Sequence, residues 1–275
     1  MATVGEIRRL WRERASAREV DPRDADILLG DLLEKPLSWI VAHADSAVGV
    51  ETADALEALL QRRLRREPLQ YIRGRAEFFG REFHLDERVL IPRPETEHLV
   101  EEAIGRIRNG ANVLDIGTGS GCVAISIALE RTDLALYASD VSPSALALAA
   151  MNARRLGARV RFFASDVYEA LGTRARFAAI VSNPPYIPAR EIPTLQAEVR
   201  DYEPQNALTP GESGLEVIER LVERAGNLLE PDGIVLFEIG YSQSDAVSKI
   251  ASAAGWSCAF KDDLQGIPRV AILSR

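Results

Sequence analysis

Apolar positions in the first 67 residues recur at helical spacing, whereas beyond residue 93 they gather into short runs separated by longer amphipathic stretches. The first pattern predicts helices over 4–18, 23–34, 37–43 and 52–67, a small all-α bundle. In the second of these Ile27, Leu28, Leu32 and Leu33 share a face, and Asp21-Pro22 offers a capping carboxylate followed by an early proline. Residues 68–92 change character. Leu69-Gln-Tyr-Ile72, Phe78-Phe79, Phe83-His-Leu85 and Val89-Leu-Ile91 are short runs broken by Gly74 and Gly80, which predicts a β-hairpin connector. After a helix over 95–108, apolar runs at 113–116, 134–139, 160–164, 177–182 and 233–239 mostly alternate with helical stretches. Such alternation predicts an α/β domain, a doubly wound and mainly parallel sheet with helices on both faces. Two last runs, 256–260 and 270–273, are joined by a short link through Gly266-Ile-Pro268, too short for a parallel crossover. They predict an antiparallel pair near an edge and bring the sheet to seven strands. The expected organisation is a helical domain over 1–67, a hairpin linker over 68–92 and an α/β domain over 93–275.

The composition, 47% hydrophobic and 27% charged, is that of a soluble globular protein. Charges among the first 14 residues predict no signal peptide, and no apolar run approaches the ~18–20 residues that span a bilayer. Two cysteines, Cys122 and Cys258, offer no disulfide framework, and with His43, His84 and His98 they show no metal-ligand spacing. The expectation is a metal-free cytoplasmic enzyme. Net charge is −8: residues 1–75 hold 13 basic and 13 acidic groups, and the other 200 hold 20 and 28. Binding to duplex nucleic acid rests on Lys and Arg against phosphates, so this balance argues against a nucleic-acid partner. The one dense basic cluster, Arg62, Arg63, Arg65 and Arg66, reads as a solvated helix face.

Two segments carry chemistry. Asp115-Ile-Gly117-Thr118-Gly119-Ser120-Gly121 stands between an apolar strand and the apolar stretch 122–130. Glycines at such a turn permit positive φ and let backbone N–H groups approach a ligand. The spacing departs from the dinucleotide fingerprint, because position 122 is Cys and Gly stands at 121. Asp140 closes the next run, where a carboxylate can accept from both hydroxyls of a ribose; capping of the helix near Pro143 is the competing role, for which Ser142 is better placed. Asp166-Val167-Tyr168 closes the third run and is placed to border an adenine. Together these residues resemble the S-adenosylmethionine site of class I methyltransferases. By that resemblance Gly117–Gly121 lie against the methionine and ribose, Asp140 holds the ribose diol, and 166–168, Tyr168 included, flank the adenine. Asp115 either braces the loop or reaches the ligand's amino group through water. Cys122 reads as a small packing residue.

The second segment, Asn183-Pro184-Pro185-Tyr186, ends the run 177–182. An amide or aromatic amine nitrogen is a poor nucleophile, because its lone pair is delocalised into the adjoining π system. Two acceptors aimed at its hydrogens, the Asn183 side-chain oxygen and the Pro184 carbonyl, can direct that lone pair at a methyl donor. Pro184 and Pro185 fix φ and remove two N–H donors, and Tyr186 offers a flat face to a planar group. The chemistry implied is methyl transfer to an amide or amino nitrogen, with alignment as the enzyme's main contribution.

Similar segments serve N6-adenine and N2-guanine nucleic-acid methyltransferases as well as glutamine methyltransferases. Further motifs resemble the release-factor glutamine methyltransferases: Leu69-Gln-Tyr-Ile72, Glu77-Phe-Phe-Gly80, Val89-Leu-Ile-Pro-Arg-Pro-Glu-Thr-Glu97, Tyr202-Glu-Pro204, Gly211-Glu-Ser-Gly-Leu215 and Glu238-Ile-Gly240. The resemblance implies an enzyme that uses S-adenosylmethionine to methylate N5 of the glutamine in the Gly-Gly-Gln loop of peptide-chain release factors; oligomeric state is left open by the sequence, a monomer being the expectation. It also implies that Arg93, Glu95 and Thr96 shape the site wall, with a helix start after Pro94 as their competing role, that 188–214 forms a lid-like loop, and that the helical domain recognises the release factor.

Overall fold

The computed structural model describes residues 2–275; Met1, where the expected helical domain begins, lies outside them. The chain divides into two compact units, one reaching to Gly74 and including Gln196–Tyr202, the other Arg75–Leu195 with Glu203–Arg275.

The first unit is helical: α1 Val4–Ser16, α2 Asp24–Leu33, α3 Leu37–Ala42, α4 Val50–Leu64 and α5 Leu69–Arg73. Thr3 opens α1 with a capping box, its hydroxyl accepting from the Glu6 N–H while the Glu6 carboxylate accepts from the Thr3 N–H. Asp21 does not cap α2 as expected. Its carboxylate accepts from the Arg23 N–H and side chain, making a local turn one step before the helix. Leu69–Ile72, expected in the hairpin, is helical, entered through Pro68 and closed by Gly74 at φ 68°. The core is Val4, Trp11, Ala15, Leu28, Leu29, Ile40, Leu56 and Leu60.

The arginine cluster is not the solvated face the charge pattern suggests. Arg63 is buried, with Nε 2.6 Å from the buried Asp24 carboxylate and one guanidinium nitrogen 3.1 Å from Glu198. Arg66 reaches the same Glu198 at 2.7 Å and the Arg18 carbonyl at 2.8 Å. Glu198 sits in the returning segment, and Tyr202 there donates its hydroxyl to the Arg65 carbonyl at 2.8 Å.

The second unit opens with an antiparallel hairpin, β1 Arg75–Phe78 and β2 Arg81–His84. It falls within this unit. Phe78 and Phe83 are buried with Leu99, Val100 and Ile125, and the Asn152 side chain both accepts from the His84 N–H and donates to the His84 carbonyl. The same Nδ2 donates to the Ser120 carbonyl at 3.0 Å, so one buried amide fastens the hairpin to the glycine loop. Next come a 3-10 turn Pro94–Thr96, α6 Glu97–Arg106, β3 Asn112–Ile116, α7 Cys122–Glu130, β4 Ala135–Asp140, α8 Pro143–Leu156, β5 Val160–Ala164 and β6 Phe177–Ser182. The segment after β6 holds a 3-10 turn Ala189–Thr194, α9 Ala197–Tyr202 and α10 Gln205–Leu208. The chain ends with α11 Glu216–Ala225, β7 Leu229–Glu238, α12 Ser244–Ala253, β8 Ser257–Asp262 and β9 Pro268–Ser274.

The sheet has seven strands in the order β5-β4-β3-β6-β7-β9-β8. The first five are parallel; β9 runs antiparallel between β7 and β8. The expected strand count, doubly wound order and antiparallel edge pair are all present. Strand β6 is buried at every residue, as a central parallel strand requires. From β3 the chain goes one way to β4, while β6 takes the other side, so the crevice beyond the carboxyl ends of β3 and β6 lies at the switch point where ligands bind in such sheets. No described helix is long and apolar enough to cross a membrane.

Candidate active site

The parallel strands deliver the chemistry-bearing residues to one end of the sheet. Gly117 follows β3, Asp140 ends β4, Ser165 follows β5, Asn183 follows β6 and Glu238 ends β7. Gly117, Thr118, Gly119, Ser120, Asp140, Val167, Asn183, Pro184 and Pro185 share one cleft, with Thr96 and Pro204 also in its wall.

The glycine loop is held from both sides. The Gly117 and Thr118 N–H groups both donate to the Ser139 carbonyl at 2.9 Å, and the Gly119 N–H donates to Asp140 Oδ2 at 2.9 Å. Gly117, Gly119 and Gly121 have φ of 71°, 54° and 82°. Gly121 does not line the cleft. It precedes α7, and a Cβ there would sit 2.8 Å from Ile125 Cδ1, so its absence lets the helix pack closely. Asp140 Oδ1 accepts from the Ser142 N–H at 2.9 Å, while Ser142 caps α8 by accepting from Ala145 N–H. Each Asp140 oxygen keeps further lone-pair capacity toward the cleft.

Beneath the loop Asp115 is buried and accepts from the Thr118 hydroxyl at 2.6 Å. Burial pushes its carboxyl up to about 7, against the pull of that hydrogen bond. A carboxyl that is harder to ionise folded than unfolded removes stability as pH climbs from its unfolded value, near 4, through its folded value. Ligand-free protein is therefore expected to lose up to roughly 4 kcal/mol between pH 4 and 8 from this group. Urea melts of wild type and Asp115→Asn across that range check it: parallel curves would remove Asp115 as the source. Cys122 lines the same cleft with its thiol pushed up to about 12 by burial, which leaves it protonated and without a nucleophile's role.

Of the residues expected to flank an adenine, Tyr168 lies away from the cleft. Val167 adopts φ 50°, an uncommon backbone state for a β-branched side chain, fixed by the Ser165 hydroxyl donating to its carbonyl at 3.0 Å. That turn leaves Asp166 and Val167 on the cleft and sends Tyr168 into the core, where its hydroxyl donates to the Leu221 carbonyl.

At β6 the Asn183 side-chain nitrogen donates to Thr96 Oγ1 at 3.1 Å, and the Thr96 hydroxyl donates to Glu238 Oε2 at 2.6 Å. Tyr186 does not line the cleft with its neighbours; its hydroxyl donates to Glu238 Oε1 at 3.0 Å. Glu238 is fully enclosed, and burial pushes its carboxyl above the usual range. Arg93 pairs with the buried Glu203 at 2.5 Å, and Glu203 also accepts from the Ile91 N–H, tying the segment before α6 to the residues after α9. Glu203 and Glu238 went unassigned in the sequence; a carboxylate closing the run Ile234–Phe237 is the signal that could have found the second. Among the described residues no group of three His, Cys, Asp or Glu is placed to hold a metal ion.

Two family models match the chain, the PrmC N-terminal domain over residues 6–74 and the methyltransferase small domain over 96–199. The release factor glutamine methyltransferase of Geobacter sulfurreducens is 44% identical, covering 84% of this chain and 81% of its own length. That of Nitratidesulfovibrio vulgaris is also 44% identical, over 88% and 84%. The chain belongs to the release factor glutamine methyltransferases. Solved structures share the fold at lower identity. A Pyrococcus furiosus methyltransferase covers 72% of this chain and 90% of its own at TM-score 0.54 and 19% identity. The Thermus thermophilus 16S rRNA N2 G1207 methyltransferase, solved with AdoMet and guanosine, covers 73% and 49% at TM-score 0.53 and 19% identity. Family membership makes this a methyltransferase.

The cleft fits a nucleoside-bearing methyl donor on its own features. Ser120 Oγ is buried in its wall without a hydrogen-bond partner, and a Cβ on Gly119 would point into open space. Removing the Asp140 carboxylate takes away the Gly119 brace and the acceptor expected to face a ribose diol. Asp140→Ala should weaken S-adenosylmethionine binding by ~10–100-fold, the worth of one or two charge-assisted hydrogen bonds. Titration calorimetry returning the wild-type dissociation constant would take Asp140 out of the site.

Proposed function

We propose that this protein transfers a methyl group from S-adenosylmethionine to the N5 amide nitrogen of the glutamine in the Gly-Gly-Gln loop of peptide-chain release factors. The observation that carries the reading is the anchored Asn183. Its Nδ2 is committed to Thr96, so its Oδ1 is left for a donor arriving in the cleft. A primary amide brings two N–H donors in one plane, and Asn183 Oδ1 with the Pro184 carbonyl supplies two acceptors for them. When bound, S-adenosylmethionine supplies an electrophilic methyl carbon beside that nitrogen. Gly117–Ser120 and Asp140 hold the donor at the ends of β3 and β4, and Asn183-Pro-Pro fixes the amide plane. The rigid diproline keeps that geometry with few competing N–H groups. Glu238 is sealed behind Thr96 and Tyr186 and takes no proton from the substrate. None is needed before attack, because the methylated amide nitrogen is acidic and its proton passes to water.

The test is labelling with radioactive S-adenosylmethionine of a release factor, wild type or with the Gly-Gly-Gln glutamine replaced by alanine. Label should enter only the first. Equal labelling of both, or label in RNA or DNA with steep salt dependence, would reject the reading in favour of another protein residue or a nucleic-acid amino group.

A further inference from the structure

The buried carboxylate at the end of β7 has no place in the chemistry above, yet it holds both ends of the segment that carries it. Glu238 Oε2 accepts from Thr96 at 2.6 Å, and Oε1 accepts from Tyr186 at 3.0 Å. Thr96 in turn accepts from Asn183 Nδ2 at 3.1 Å. Thr96 is 1% exposed and Glu238 2%, so water does not compete at either bond.

The direction of these bonds matters more than their number. Each hydroxyl facing Glu238 points its own hydrogen at a carboxyl oxygen, Thr96 at Oε2 and Tyr186 at Oε1. The single hydrogen of Thr96 is then spent on Glu238, and its oxygen can only accept. Of the two ends of the Asn183 carboxamide, only the NH2 end can satisfy that oxygen. The carbonyl end is thereby forced to the other side, toward the cleft. Without this constraint an asparagine amide can turn over with little change in shape, presenting donors where the substrate's own N–H groups need acceptors.

We infer that Glu238 is a positioning residue which, through Thr96, sets the polarity of Asn183 and so makes the site an acceptor of NH2 groups. Through Tyr186 the same carboxylate fixes the far end of the Asn-Pro-Pro-Tyr segment. The inference rests on the amide-methylating reading and adds the group that orients its central residue.

Steady-state kinetics with a release factor, together with calorimetric titration of S-adenosylmethionine, test it on three variants. Thr96→Val keeps the shape and removes both the donor to Glu238 and the acceptor for Asn183. It should lower kcat by ~10–100-fold, as misplacement of an aligning group does, with KM and the cofactor dissociation constant changed by less than about threefold. Thr96→Ser restores the hydroxyl without the methyl and should recover kcat to within about threefold of wild type. Glu238→Gln places an NH2 against either Thr96 or Tyr186. Whichever hydroxyl it faces must then accept, so one arm is misdirected and kcat falls here too. Thr96→Val at wild-type kcat overturns the inference, and so does Thr96→Ser as slow as Thr96→Val, which would make the methyl packing the operative feature. If instead the wild-type enzyme fails to label release-factor glutamine, the proposed function itself fails, and the variants are not needed to show it.

Discussion

Asn183→Ala lowers kcat by about 10²–10³-fold while S-adenosylmethionine affinity stays within about threefold of wild type. The size follows from the role proposed for the side chain, one of two acceptors that orient a nucleophile whose lone pair is otherwise delocalised. The asymmetry follows from placement. Asn183 borders the cleft at the end of β6, whereas the loop proposed to hold the donor is braced by Ser139 and Asp140 from β4. Truncation also leaves Thr96 Oγ1 without its donor, a buried acceptor whose loss costs some stability but not the fold. Single-turnover methylation of a release factor, beside a calorimetric titration of the donor, separates the two effects. A variant that binds the donor poorly and turns over normally when saturated would reverse the assignment.

Arg63→Leu destabilises the helical unit by ~3–5 kcal/mol, the cost of removing one partner from a buried ion pair. Arg63 is held by Asp24, by the Glu67 carbonyl at 3.1 Å and by Glu198. Burial already pushes the Asp24 carboxyl upward, and removing the guanidinium takes away the pull that opposes it. Glu198 keeps Arg66. Replacing both members, Asp24→Leu with Arg63→Leu, leaves no uncompensated charge at that position and should recover most of the loss. Urea melts followed by tryptophan emission, with Trp11 and Trp39 in this unit, make the comparison. A single variant within ~1 kcal/mol of wild type would place the pair among surface bridges in its energetic weight.

The α/β unit was largely legible because its parallel strands read as short, mostly apolar runs between helical stretches: 160–164 and 177–182 match the observed β5 and β6 residue for residue, although only the central β6 is buried throughout. Leu69–Ile72 misled because a four-residue segment with three hydrophobic side chains around Gln70 fits either period. The deciding features, Pro68 before it and Gly74 after it, are those of a one-turn helix. In the site, the glycine loop, Asp140 and Asn183 follow from their places at strand ends. Tyr168 did not, since the left-handed Val167 reverses the expected facing of its neighbours and no residue type at 167 announces that conformation. Arg63 and Glu238 were passed over for one shared reason. A charged side chain beside an apolar run reads as solvent-facing, and its enclosure depends on partners far along the chain, Asp24 for one and Thr96 for the other.

Residues 196–202 pack with the helices although they are encoded inside the methyltransferase half. The module that evolution or an engineer could exchange between family members is therefore not a continuous stretch. A chimera joined at Gly74 would set Arg63 and Arg66 of one parent against whatever the other parent carries where Glu198 stands. Inheritance of a foreign helical half thus requires a second, seven-residue graft, and hybrids that omit it should be recovered mainly when both parents happen to place an acid there.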